Sequence, residues 1–364
     1  MKQTVNVLGK LNWGKRPYAV VVLWATTAIA LPAQTFTSLY SFCSQSGCSD
    51  GVSPVASLVQ ATNGDLYGTT IWGGTGGVAG DGTVFKITPH GELTTLYSFC
   101  SQANCADGAW PEAALVQATN GDFYGTTAGL GAYPGTPGVT NCQASGGCGT
   151  VFKITPSGAL TTLYRFCSQS GCTDGESPAA GLVQASNGDF YGTTRGGGAK
   201  GGGTVFRISP SGTLTTLYSF CSQLNCADGA YPEAALIQAA NGDLYGTTSS
   251  GGACEPACGT VFAITPSGTL TTIFDFCAFA NAVGCLDGSY PTGKLVQASN
   301  GNLYGTTQKG GSLANSCYAQ GGCGTVFEIS PSGRLTSLYS FCSQGSECPD
   351  GSYPYAGLAR FSHR

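Results

Sequence analysis

Cysteine is the residue type in this sequence with the most material for chemistry, and its spacing is regular. Six pairs stand in the pattern F-C…C-x-D-G-x-x-P: Cys43/Cys48, Cys100/Cys105, Cys167/Cys172, Cys221/Cys226, Cys277/Cys285 and Cys342/Cys348. The other six form three further pairs, Cys142/Cys148, Cys254/Cys258 and Cys317/Cys323. Every loop holds two cysteines or none, so nine local disulfides are the simplest connectivity, provided the chain reaches an oxidising compartment. A loop of this size, once closed, gains about 2 kcal/mol by restricting the unfolded chain. The Asp after each second cysteine can bond its own backbone two residues on, the Gly accepts positive φ, and the Pro stiffens entry to the next strand. A four-cysteine zinc site would need pairs from neighbouring repeats to converge, and no histidine stands near any pair, so no metal is expected.

Other chemistry has little to work with. Of the two histidines, His90 stands in a Pro-His-Gly turn and His363 next to the last residue, so histidine-dependent nucleophilic mechanisms have no material. The glycine-rich "RGGGAKGGGT" at 195–204 lacks the Gly-Lys-Ser/Thr ending of a phosphate loop. Of 19 carboxylates, ten sit in Asp-Gly or Asn-Gly-Asp turns. Among the rest, Glu112 and Glu233 occupy equivalent places in "PEAAL" and are weak candidates for a two-carboxylate catalytic pair. No catalytic residue is assigned. No cofactor is expected, with calcium at the Asp-Gly turns kept open although no segment matches an EF-hand loop.

These residues are positioned by a repeat. "LVQATNGDLYGTT" at 58–70 returns four more times, starting at residues 115, 182, 236 and 295, and each copy leads through a variable glycine-rich stretch to a relative of "GTVFKITPSGALTTLYRFC". Each unit reads as four short strands, A (ALVQA), B (LYGTT), C (GTVFKIT) and D (LTTLYSF). Asn-Gly marks a tight A–B hairpin with both central residues at positive φ, and Pro-Ser-Gly or Pro-His-Gly marks the C–D turn. Alternation puts Phe85 and Ile87 on one face of strand C and Val84 and Lys86 on the other. Five such units predict an all-β protein, a β-propeller of four-stranded antiparallel blades, with a β-solenoid as the alternative. A lone D strand near residue 36 and a lone A strand near 355 add partial strands at both termini.

The compartment follows from the first 34 residues, where Lys2, Lys10, Lys15 and Arg16 precede an apolar run from Ala19 to Leu31 and small residues at Ala28, Ala30 and Ala33. That pattern reads as a signal peptide over 1–34, with one propeller domain over 35–364. The run is shorter than the roughly 20 residues a transmembrane helix needs. Without the leader, eleven of the 15 basic residues face all 19 acidic ones, a net charge of −8 that argues against nucleic acid as a partner. The localisation read from this is secreted, either extracellular or periplasmic and cell-surface.

In such blades the A–B and C–D turns share one face, and the B–C and D–A loops share the other. The second face carries all the cysteine pairs, all the length variation, and aromatics: Trp110, Tyr231, Tyr290 and Tyr353 before the D–A proline, and Trp72, Tyr133 and Tyr318 in B–C loops. Trp72, Trp110, Tyr231, Tyr290 and Tyr353 are therefore the ligand-binding candidates, for an extracellular glycan or protein. The competing account is that Tyr-Pro and Trp-Pro pack on the next blade.

The blocks "YGTT", "GTVF" and "LYSF" resemble the GloVer-type tandem-repeat family of exported bacterial proteins described as having a choice of anchor. The resemblance spans nearly the whole chain after the leader and implies a surface or secreted repeat protein, with no catalytic residues to carry over. The sequence reading is thus a secreted, disulfide-stapled propeller acting as a non-enzymatic binding or scaffold module. A polysaccharide-acting enzyme and a structural cell-envelope component are the alternatives.

Overall fold

Each repeat folds into one four-stranded antiparallel sheet whose strands follow sequence order. The computed structural model describes residues 37–75, 80–131, 148–252, 258–277, 285–311, 322–344 and 347–359. The leader over 1–34, Cys142, Cys254, Cys317, Tyr133, Tyr318 and His363 lie outside the described residues. The chain divides into Met1–Ser38 and Leu39–Arg364, and all named strands belong to the second unit.

Blade 1 comprises β1 (Val59–Gln60), β2 (Leu66–Thr70), β3 (Thr83–Ile87) and β4 (Leu93–Ser98). Blade 2 comprises β5 (Val116–Gln117), β6 (Phe123–Thr127), β7 (Thr150–Ile154) and β8 (Leu160–Arg165). Blade 3 comprises β9 (Val183–Gln184), β10 (Phe190–Thr194), β11 (Thr204–Ile208) and β12 (Leu214–Ser219). Blade 4 comprises β13 (Ile237–Gln238), β14 (Leu244–Thr248), β15 (Thr260–Ile264) and β16 (Leu270–Asp275). Blade 5 comprises β17 (Val296–Gln297), β18 (Leu303–Thr307), β19 (Thr325–Ile329) and β20 (Leu335–Ser340). Five separate antiparallel sheets are the β-propeller architecture and not a solenoid of continuous coils.

The turns differ from the sequence expectation. In the A–B hairpin of blade 1 only Gly64 has positive φ, at 90°. The Gly64 N–H donates to the Ala61 carbonyl, and the Ala61 N–H to that of Asp65. This is a type I turn closed by a left-handed glycine, and Asn63 serves through its side-chain oxygen, which accepts the Asp65 N–H at 3.1 Å. The C–D turn repeats the geometry with Pro89 at its second position and Gly91 at φ 89°.

The core lies between blades. Ala61, Tyr67, Val84 and Phe99 of blade 1 pack against Leu115, Phe123, Phe152 and Ile154 of blade 2, and blades 3 and 4 meet through the same columns. Tyr67 stacks on Phe123 with centroids 4.1 Å apart, and Tyr124 on Phe190 at 4.0 Å. Burying one phenylalanine completely contributes about 2–3 kcal/mol, and Phe152, Phe206 and Phe262 are each fully buried. The glycine of "YGTT" makes room for that ring, since a Cβ on Gly125 would stand 2.6 Å from Phe152 Cζ.

Threonines tie the blades together. The second Thr of "YGTT" bonds the Thr of "GTVF" in every blade, as Thr127 does Thr150 at 2.9 Å. The first Thr reaches the next blade: Thr69 Oγ1 donates to the Ala113 carbonyl at 3.1 Å and Thr126 to that of Ala180 at 3.1 Å.

The partial terminal strands occupy the right places without forming sheet. Thr306 Oγ1 donates to the Ala356 carbonyl, so residues 353–359 lie where the next A strand belongs. Phe42 packs edge-on against Phe85, as Phe99 does against Phe152. Neither segment has B and C neighbours to complete a ladder among the described residues, so neither becomes a strand. Leu58 on blade 1 is accordingly 45% exposed, whereas its equivalents Leu115, Leu182, Leu236 and Leu295 are at most 5% exposed.

Candidate functional site

The B–C and D–A loops interlace on one face. Short antiparallel bridges join them in every blade: Val52 to Trp72, Ala109 to Gly129, Glu176 to Gly196, Ala230 to Ser250 and Ser289 to Lys309. Six disulfides close the D–A loops, Cys43–Cys48, Cys100–Cys105, Cys167–Cys172, Cys221–Cys226, Cys277–Cys285 and Cys342–Cys348. Cys148, Cys258 and Cys323 are disulfide-bonded as well.

The loop aspartates do more than the expected local turn. Buried Asp228 accepts the Tyr218 hydroxyl at 2.8 Å, the Ser222 N–H at 2.9 Å, the Ser222 hydroxyl at 2.8 Å and the Gln223 N–H at 3.2 Å. The tyrosine of "LYSF" thereby fastens strand D to the loop that follows it. Burial pulls the Asp228 carboxyl up, but these donors outweigh it and hold the group below the usual carboxylate range. Asp287 shows the converse. Phe274 stands where the other repeats have Tyr, and the carboxylate takes the Cys277 N–H at 3.0 Å, so burial wins and raises it.

Asp275 is a related case. It ends β16 where other blades have Ser98, Arg165, Ser219 and Ser340, its Oδ1 is buried without a partner, and burial raises its pKa. An acid raised in the folded state costs stability once pH climbs through its folded pKa, and nothing below its unfolded value of about 4. Asp275→Asn is therefore expected to raise the melting temperature by roughly 1–2 °C at pH 7 and to match the parent near pH 3. Calorimetry at the two pH values checks this, and an equal shift at both would remove ionisation as the cause.

The residue before the D–A proline is left-handed in all six copies: Ser53, Trp110, Ser177, Tyr231, Tyr290 and Tyr353 have φ between 53° and 62°. Its backbone is held from two sides. The Trp110 N–H donates to Asp81 of the preceding blade, and its carbonyl accepts the Ala128 N–H of its own. Tyr231 does the same with Gly202 and Ser249, and Tyr290 with Cys258 and Gln308. The backbone thus acts as the blade-to-blade fastener, whatever the side chain, and the aromatic groups are carried on it.

Two of those aromatics meet. Trp72 and Trp110 have ring centroids 5.6 Å apart at 60°, Trp72 is 38% exposed, and the buried Trp110 indole N–H has no hydrogen-bond partner. Tyr231 and Tyr353 are exposed on their own blades, and Lys309 lies 5.0 Å over the Tyr290 ring.

Glu112 and Glu233 lie within electrostatic reach of each other and of a third residue the sequence reading missed. Arg195 Nε lies 2.9 Å from Glu233 Oε1, so blade 3 reaches blade 4. Burial raises the Glu112 carboxyl, the Arg195 charge opposes that, and the Glu233 charge adds to it. Glu112 and Glu233 precede Ala114 and Ala235 by two residues, just ahead of β5 and β13. The strands converge there, because a Cβ on Gly181 would stand 3.1 Å from the Ala114 carbonyl and 3.9 Å from Ala235 Cβ. Arg195 could have been found by comparing columns, since its equivalents Ile71, Ala128, Ser249 and Gln308 are uncharged.

A family model described as the Gloeobacter/Verrucomicrobia repeat matches residues 25–137 and 135–363. No curated protein matches the sequence at a significant level. Among solved structures, a PQQ-bound aldose sugar dehydrogenase from Streptomyces coelicolor is similar at 12% identity, with 80% of this chain and 82% of that chain covered and a TM-score of 0.44. A putative 6-phosphogluconolactonase from Bacteroides uniformis is similar at 13% identity over 79% and 84%, with a TM-score of 0.39. Among the described residues, no helix is long and apolar enough to cross a membrane.

Proposed function

We infer a binding function from one premise: the chain belongs to the Gloeobacter/Verrucomicrobia repeat family. The loop face is the binding surface of an exported, non-enzymatic module, and an extracellular glycan is the ligand. The observation that carries this reading is the Trp72–Trp110 pair, two indoles in contact on the loop face, with Trp110 two residues before Glu112 of the Glu112, Arg195 and Glu233 group. Indole faces stack on the apolar faces of sugar rings, while carboxylates and a guanidinium bond hydroxyl groups. The leader over 1–34 delivers the chain to the compartment where its disulfides form, although the first family match begins at residue 25, inside that segment. The module is read without calcium at Asp228, where one carboxylate oxygen takes the Ser222 N–H and two hydroxyls and the other takes the Gln223 N–H.

A glycan array and polysaccharide pull-down with the folded protein test this reading. Trp72→Ala and Trp110→Ala are each expected to weaken binding about 10- to 100-fold, the loss typical of a central aromatic anchor. Binding that survives both substitutions would refute the site. One observation favours a second reading, a polysaccharide-acting enzyme: Glu112 is raised by burial while Glu233 is ion-paired, two carboxylates in different environments. Release of reducing sugar by the parent and none by Glu112→Gln would decide for it.

A further inference from the structure

The position just before "GTVF" faces the D–A disulfide of its own blade. It is Asp81, Cys148, Gly202, Cys258 and Cys323 in blades 1 to 5. Gly202 shows how close the approach is, for a Cβ there would stand 2.8 Å from Cys221 Cβ. Where this position is cysteine, three sulfurs gather. The Sγ atoms of Cys148, Cys167 and Cys172, with a carboxylate oxygen of Glu176, lie within 4.8 Å of one another. So do those of Cys258, Cys277 and Cys285, and those of Cys323, Cys342 and Cys348.

The convergence that the sequence reading required of neighbouring repeats therefore arises inside single blades. Burial follows it. Cys167, Cys172, Cys277 and Cys342 are at most 5% exposed, Cys285 and Cys348 are half-buried, and none of Cys100, Cys105, Cys221 and Cys226, which face Asp81 or Gly202, is more than half-buried. Glu176 is the one carboxylate in its column, where Val52, Ala109, Ala230 and Ser289 stand elsewhere, and its Oε2 is 3.9 Å from Cys167 Sγ.

We propose that the sulfur clusters of blades 2, 4 and 5 are latent sites for a thiophilic divalent cation of the Zn²⁺ type, open only when their disulfides are reduced. A tetrahedral zinc–thiolate site has Zn–S bonds of about 2.3 Å and hence sulfurs roughly 3.8 Å apart. The third sulfur is already within about 1 Å of that spacing, and the two sulfurs of each opened disulfide need to separate by about 2 Å. Each disulfide takes two electrons and two protons from a dithiol, which closes to its own disulfide, and the cation then displaces the thiol protons. Blade 2 offers three thiolates and the Glu176 carboxylate. Blades 4 and 5 each offer three thiolates, which leaves a fourth position for water. Metal and disulfide are mutually exclusive occupants, so the sites report the redox state of the surroundings.

The test uses the full chain, reduced anaerobically by a trialkylphosphine, which takes the oxygen of water and becomes its oxide as each disulfide becomes two thiols. Titration with Co²⁺ is expected to give a thiolate-to-metal charge-transfer band saturating at three equivalents, bleached by Zn²⁺. Cys148→Ser should remove one equivalent, and Cys148→Ser with Cys258→Ser and Cys323→Ser all three, while Cys221→Ser removes none. Absence of the band, or a stoichiometry that Cys148→Ser leaves unchanged, overturns the proposal. Circular dichroism guards against capture by unfolded chain: a band that forms without β-sheet signal overturns it as well.

Discussion

Gly149→Ala is expected to cost about 3–5 kcal/mol, and Gly121→Ala only about 1–2 kcal/mol, although both glycines are left-handed. Their φ values are 84° and 88°, so the backbone penalty for an L side chain is shared. Space separates them. A Cβ on Gly149 would overlap the Thr127 carbonyl oxygen and stand 2.6 Å from Pro178 Cδ, whereas one on Gly121 meets nothing within 4 Å. Gly149 thus sits where strand C, strand B and the proline of the next blade meet, and adding a methyl group there pushes two blades apart. Gly121 only closes a solvent-exposed turn. Urea unfolding of the two variants measures the difference, and equal losses would mean that blade contact at this glycine contributes nothing.

Reduction of all disulfides is expected to be the larger perturbation. Four of the six D–A loops join cysteines five residues apart, and each such closure contributes about 2 kcal/mol in the chain-entropy model. Several together rival the 5–15 kcal/mol that stabilises a typical domain. The loops also hold left-handed backbone at both cysteines of most pairs, for example φ 58° at Cys100 and 50° at Cys105, a conformation that non-glycine residues leave readily once released. Melting followed by circular dichroism, with and without reductant, should therefore show a drop of at least 15 °C, with the reduced chain still folded at low temperature. A shift of a few degrees would mean that the Tyr–Asp clamps hold the loops unaided.

The five sheets were legible because their signature is periodic. Five copies of "YGTT" and "GTVF" fix strand pairing, and alternation along "TVFKI" separates the Phe85 face from the Val84 face. The turn type was less legible. Asn-Gly suggested two left-handed residues, but Asn63 takes an ordinary conformation because the hairpin loop is one residue longer than the tightest kind. The blade-to-blade contacts were hidden for a different reason. A column such as Ile71, Ala128, Arg195, Ser249 and Gln308 carries one charge, and its meaning depends on Glu233, a residue of another repeat that no local pattern connects to it. The same holds for Cys148 and the Cys167–Cys172 pair, whose separation along the chain conceals that both lie at one end of one sheet.

Leu58, left open on blade 1, has a consequence for how the molecule comes apart. Tyr304, Val326 and Phe341 on blade 5 are likewise only partly covered, whereas Tyr124, Val151 and Phe166 in blade 2 are at most 1% exposed. Where the two outermost interfaces are thinner than the inner ones, the outer sheets can peel while the inner ones persist, so opening proceeds inward one blade at a time. Blade 3, flanked on both sides by full interfaces, is then the last to be lost, and the first to be lost are the blades whose neighbours are single strands.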